Sequence, residues 1–162
     1  MRQETPPDTD PAQPLRLWLR MLTCTQLVER EVRSALRNQF DTTLPRFDLL
    51  AQLDRAPEGL KMNELSRRMM VTGGNVTGIT DQLVAEGLVE RLAVAGDRRA
   101  FLVCLTEAGR ASFADMARAH SAWITQAFAS LSGHDMATLH QLLGRVKDSA
   151  HALEIDSLEA AL

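Results

Sequence analysis

The chain contains no tyrosine, and its only cysteines, Cys24 and Cys104, stand far apart in 162 residues. Such sparse cysteine excludes a disulfide framework, and the apolar neighbours of both predict reduced, buried small side chains in a cytoplasmic protein. No apolar run reaches about 18 residues, so no membrane span is expected. Positive charge is not in excess: 18 Lys and Arg face 21 Asp and Glu, a net charge of −3 that excludes a polycation coating nucleic acid without regard to sequence. It leaves room for local positive charge, which site-specific binding requires. His134, His140 and His151 have no clustered cysteine or acid at ligand spacing, so neither a metal nor a cofactor is expected. A catalytic Ser-His-Asp or Cys-His arrangement, a phosphate loop and paired catalytic carboxylates are missing too, which argues against an enzyme. Residues Met1 to Pro14 lack the apolar centre of a signal peptide. With Pro6, Pro7, Pro11, Pro14, Glu4, Asp8 and Asp10 they read as a disordered leader.

What the chain does have is a 45% apolar share, enough for the core of one domain with helical extensions. Leu15 to Phe40 runs without Gly or Pro and predicts one long helix. It carries two apolar stripes, one through Trp18, Leu22, Thr25, Glu29, Val32 and Leu36 and one through Leu17, Met21, Cys24, Val28 and Ala35. Two stripes need two packing partners, one of them in a second subunit. A second helix is expected over Leu44 to Arg55, with Pro45 in its first turn, and a short third over Asn63 to Met70, with Asn63 as N-cap. After a tight turn, a fourth helix from about Gly73 to Glu86 would bury Val76, Ile79, Leu83 and Val84 and end at Gly87. Leu88 to Val94 and Ala100 to Leu105 read as two strands joined by Ala95-Gly96-Asp97-Arg98-Arg99. Thr106 and Glu107 open another long helix, striped by Phe113, Met116, His120, Ile124 and Phe128. Ser132 and Asp135 form a capping box for a last one, striped by Met136, Leu139, Leu143, Val146 and Leu153.

This order predicts a mainly α fold with a small β-hairpin wing: a winged helix-turn-helix over 41–105, flanked by long dimerisation helices over 15–40 and 106–155. Glycines weaken a helix by about 1 kcal/mol each relative to Ala, so a glycine-laced helix start points to close approach of its backbone to something. In a DNA major groove, Asn75 pairs with adenine, Thr77 meets a thymine methyl or a phosphate, and Gly73 and Gly74 offer backbone N–H groups to phosphate. Asp81 accepts from a cytosine amino group or repels wrong sequences. Arg99 is the candidate for minor-groove insertion, held by Asp97, with Arg98 nearer the backbone. Arg46, Arg67 and Arg68 suit phosphate clamps as well as they suit ordinary surface positions.

The chain resembles the MarR (multiple antibiotic resistance regulator) family over roughly Leu15 to Leu153. The resemblance rests on Leu44-Pro45-Arg46-Phe47-Asp48-Leu49-Leu50, on Leu65-Ser66-Arg67-Arg68, on Gly73 to Leu88, and above all on Asp97-Arg98-Arg99 followed by Leu105-Thr106-Glu107-Ala108-Gly109-Arg110. It implies a homodimer that places a recognition helix and a wing from each subunit on a palindromic double-stranded DNA operator. Gly73, Gly74, Asn75 and Thr77 then occupy reading positions, and Asp97 and Arg99 match the family's wing pair. Most such proteins repress and are released by a small, often aromatic or phenolic effector. Its pocket would lie between the dimer helices and the winged domain. Trp18, Phe47, Met116, His120 and Trp123 are candidates to line it, with Arg16 or Arg20 holding a carboxylate, although core and interface packing explains each of them too. The glycine content of the recognition helix and Asp81, where a basic or polar residue is common, depart from the pattern. Redox-sensing members use a cysteine near the start of the first long helix with supporting tyrosines. Cys24 lies well inside that helix and tyrosine is absent, which disfavours a cysteine-based redox sensor. An activator, a ligand-independent regulator and a winged-helix protein-interaction module remain as alternatives.

Overall fold

A computed structural model describes residues 10–69, 75–94 and 96–159, with side chains described outside 97–100 and 154–159. The elements run α1 (Gln13–Phe40), α2 (Leu44–Asp54), α3 (Met62–Arg68), α4 (Val76–Ala85), β1 (Val89–Val94), β2 (Asp97–Leu105), α5 (Glu107–Ala127) and α6 (Gly133–Glu159). They fall into two compact units that divide after Trp123.

The first unit is built round α2. Phe47, Leu49, Leu50 and Leu53 are buried on it, and so are Asp48 and Gln52. Gln52 Nε2 donates to Asp48 Oδ1 at 3.3 Å, so this polar pair enters the core together. Around α2 stand Val32 and Leu36 of α1, Leu65 of α3, Leu83 of α4, Val89, Val103 and Leu105 of the hairpin, and Phe113 and Met116 of α5. The helix α1 stops at Asp41, whose left-handed backbone (φ 48) returns its N–H to the Arg37 carbonyl. Its beginning corrects the expected leader boundary: the helix starts at Gln13, with Pro14 in the first turn, where a missing N–H is harmless. Cys104 is buried as expected, and burial pushes its thiol pKa up. Cys24 is exposed in the single chain, against expectation.

Two features of the winged part join residues far apart in the chain. Leu60 forms a one-residue antiparallel bridge to Val103, exchanging hydrogen bonds of 3.0 and 2.8 Å, so the hairpin gains a third backbone partner. The preceding Gly59 makes this possible. Its φ is +86°, and a Cβ there would lie 2.4 Å from Cys104 Sγ. The second feature is the joint between α4, β1 and α5. Thr106 Oγ1 donates to the Gly87 carbonyl at 2.7 Å and accepts from Gly109 N at 3.0 Å, while Thr106 N donates to the Leu88 carbonyl at 3.1 Å. One threonine thus caps α5 and fastens it to the root of the wing.

The hairpin is antiparallel, with Val89 opposite Leu105, Arg91 opposite Val103 and Ala93 opposite Phe101. The next pair is Val94 with Asp97, so one step along β1 matches four along β2, and residues 98–100 bulge out. This corrects the expectation that Asp97, Arg98 and Arg99 belong to the connecting turn. They begin β2, directly after Gly96, whose backbone is left-handed (φ +86°).

The second unit holds the end of α5 and all of α6. The expected capping box is present: Asp135 N donates to Ser132 Oγ at 3.1 Å and Ser132 N to Asp135 Oδ2 at 3.0 Å. These bonds hold the Asp135 carboxyl pKa below the usual carboxylate value. Among the described residues no helix is long and apolar enough to cross a membrane.

Candidate nucleic-acid interface

Helix α4 begins three residues later than the periodicity suggested. Asn75 is its N-cap, with extended backbone (φ −67, ψ 96) and a side-chain oxygen that accepts from Gly78 N at 3.2 Å. Gly78 serves this cap directly, since a Cβ at that position would come within 3.1 Å of the Asn75 amide nitrogen. The expected position of Asn63 as N-cap of α3 is also corrected: Lys61 takes it, and its N–H donates to the Glu64 side chain at 3.3 Å. Gly73 and Gly74 lie outside the described residues.

The buried side of α4 differs from the expected one. Thr80 and Leu83 are fully buried, whereas Val76, Ile79 and Val84 are half-buried. Thr80 enters the core because its hydroxyl turns back to the Val76 carbonyl at 2.7 Å, leaving its methyl to pack. The outer face carries Thr77 and Asp81, both exposed and one turn apart.

Asp81 does not stand alone as a base-reading carboxylate. Its Oδ1 accepts from Arg91 Nη2 of β1. Arg46 is similarly engaged. Both of its terminal nitrogens donate to the Glu86 carboxylate, one at 2.9 Å, and its side chain is only 18% exposed. This fork holds the Glu86 carboxyl pKa below the usual value and joins the start of α2 to the end of α4. Arg67 and Arg68 are exposed in the last turn of α3, and Arg67 Nε donates to the Asn63 carbonyl at 3.2 Å. The backbones of Asp97, Arg98 and Arg99 lie in β2, and their side chains are outside the described set.

The expected effector-lining residues separate into two groups. Phe47 packs against Phe113 (5.5 Å between ring centroids) and His120 (4.9 Å), His120 meets Trp123 edge-on (6.5 Å), and Trp123 meets Phe40 (6.4 Å). Met116 is buried one turn before His120. Burial lowers the His120 pKa. Trp18, Arg16 and Arg20 belong elsewhere: all three are exposed, and Arg16 pairs with Asp10 at 2.6 Å. Trp18 lies about 33 Å along the α1 axis from Phe40, at 1.5 Å per residue. Phe40 and Phe113 are therefore the residues to add to the cluster; Phe113 was already on an apolar stripe, and Phe40 was hidden by its place at a helix end.

A crystal structure described as a MarR family transcriptional regulator from Silicibacter pomeroyi is 31% identical in sequence, with a TM-score of 0.73 over 88% of this chain and 99% of that one. A family model described as MarR family matches residues 40–100. The chain belongs to the MarR family.

This MarR family chain is also 27% identical to the transcriptional activatory protein BadR of Rhodopseudomonas palustris, over 86% of this chain and 81% of that protein. A cysteine-to-serine variant of MarR from E. coli, solved in complex with operator DNA, is 27% identical with a TM-score of 0.70, covering 85% of this chain and 99% of that one. The chain is a DNA-binding transcription regulator with the winged helix-turn-helix fold, and its relatives are transcription regulators.

Proposed function

We propose that the chain works as a homodimeric repressor that binds a palindromic operator and is released by a small aromatic acid or an aromatic coenzyme A thioester. The observation that carries this reading is a capped, outward-facing α4 set beside an arginine-bearing wing. In this reading 41–105 meets DNA, with Asn75 and Thr77 in the major groove, Arg99 in the minor groove and Arg67 and Arg68 on phosphate. Gly73 and Gly74 bring the chain close to the backbone, Asp97 orients Arg99, and Arg98 stays near phosphate.

Dimerisation through 15–40 and 106–155 is supported by surfaces that a lone chain leaves open. Leu15, Trp18, Leu19 and Leu27 on α1 are about half exposed, as are Met136, Leu142 and Val146 on α6. Apolar patches of this kind mark association surfaces. The ring cluster of Phe47, His120 and Trp123 supports an aromatic effector, which stacks on rings at favourable offsets. An effector that prefers a dimer whose reading heads are not about 34 Å apart lowers operator affinity by population shift. Acting on DNA, the protein works in the cytoplasm. A second reading, activation from the same DNA contacts, is favoured by the name of the related BadR.

Arg99→Ala is expected to weaken operator binding at least about tenfold, the scale of one lost groove contact, while sedimentation still reports a dimer. Unchanged affinity in a salt-controlled gel-shift titration refutes the wing assignment. Reporter expression in a deletion strain, with and without aromatic acids, separates repression from activation.

A further inference from the structure

The inner face of the wing hairpin comprises Val89, Arg91 and Ala93 on β1 and Phe101, Val103 and Leu105 on β2, as the register pairs require. Val89, Val103 and Leu105 are buried, but by Phe101 the face has run out beyond the core and the ring is 37% exposed. Arg91 sits at this boundary. Its guanidinium carbon lies 5.3 Å from the Phe101 ring centroid, and its Nη2 donates to Asp81 on α4. The stem of the hairpin is held by the core. Further out, this one side chain bridges the outer face of α4 and the inner face of the wing.

We propose that Arg91 is a positioning residue for DNA reading: together with Asp81 and Phe101 it fixes the tilt of the wing against α4, so that helix and wing meet one duplex in register. The contact chemistry fits this role. The guanidinium plane stacks on a ring while its edge donates to a carboxylate, a combination an ammonium cannot make. Asp81 therefore acts through Arg91 and not on a base.

The inference rests on the DNA-binding reading, and the test keeps the two apart. The probes are duplexes enriched by the wild-type protein from a random-sequence pool, with scrambled duplexes as the non-specific reference, titrated over a salt series. Arg91→Ala and Asp81→Asn are each expected to lower affinity for the enriched duplexes about fivefold, the scale of one partly screened ion pair. The double variant loses no more than either single one, because the two residues form a single unit. Arg91→Lys recovers less than half of the loss, having charge without the stacking plane, and Phe101→Leu weakens binding without altering any charge. Non-specific affinity and the salt slope stay as in wild type.

Asp81→Asn that binds as well as or better than wild type overturns the proposal, because removing a lone anion beside phosphates raises affinity. A salt slope smaller by about 0.9 in Arg91→Ala overturns it too, by making Arg91 a phosphate contact. Wild-type protein that enriches no duplex overturns the DNA reading and this proposal together. Enrichment by wild type with unaltered variants overturns the positioning role alone.

Discussion

Replacing Gly109 with alanine tests the joint on which the wing hangs. A Cβ at this position would stand 1.8 Å from the Leu88 carbonyl oxygen, against the 3.0 Å that real contacts respect, so the two backbones must part by at least 1.2 Å. That displacement breaks both the Thr106 N–H bond to Leu88, now 3.1 Å, and the Thr106 hydroxyl bond to Gly87, now 2.7 Å. Two lost hydrogen bonds cost about 1 kcal/mol each. Overpacking adds about 1–3 kcal/mol, and the better helix propensity of alanine returns at most about 1 kcal/mol. The expected net loss is about 2–5 kcal/mol, read from urea unfolding at one fixed protein concentration so that self-association contributes equally to every variant. Gly133→Ala is the control, since a Cβ there meets nothing within 4 Å. A Gly109→Ala loss below about 0.5 kcal/mol, within the range of ordinary surface substitutions, refutes the idea that α5 is clamped against the wing root.

Asn75→Ala is expected to cost about 1 kcal/mol of stability through the lost cap, whereas Asn75→Asp keeps the cap. The aspartate cannot donate to adenine, so its operator affinity should fall by about 1–3 kcal/mol at one base position; wild-type discrimination there in a substitution scan removes Asn75 from base reading. His120 sets a pH limit. Burial lowers its folded pKa below the unfolded value of 6.5, so the unfolded chain binds more protons, and stability is full above about pH 6.5 and declines as pH falls through and below it. His120→Phe, which keeps a ring beside Phe47, should show a smaller drop in urea midpoint between pH 7.5 and 5.5 than wild type; equal drops contradict the assignment.

Much of the fold was legible because its determinants are local. The unbroken helical stretch to Phe40, Pro45 in the first turn of α2, the Ser132–Asp135 box and the glycine after α4 each act within a turn or two of chain. Element ends were less legible. Asn75 capped α4 where the apolar period ran on towards the glycines, because a cap wins over periodicity when its side chain finds a free N–H. The site was legible as residue types and opaque as partnerships. Arg46 looked like a phosphate clamp until Glu86, 40 positions away, took its fork. Asp81 looked like a base reader until Arg91 closed on it.

By itself, then, the order of amino acids set the identity and sequence of the helices, the hairpin, their buried stripes and the family to which they belong, since periodicity and capping depend on near neighbours. Only the folded chain decided which charges are spent on each other, which rings gather round Phe47, and that Gly59 and Gly109 lie where another backbone or side chain leaves no space for a Cβ. Those outcomes depend on groups distant along the chain coming within a few ångströms, and close packing and charge pairing are properties of distance in space.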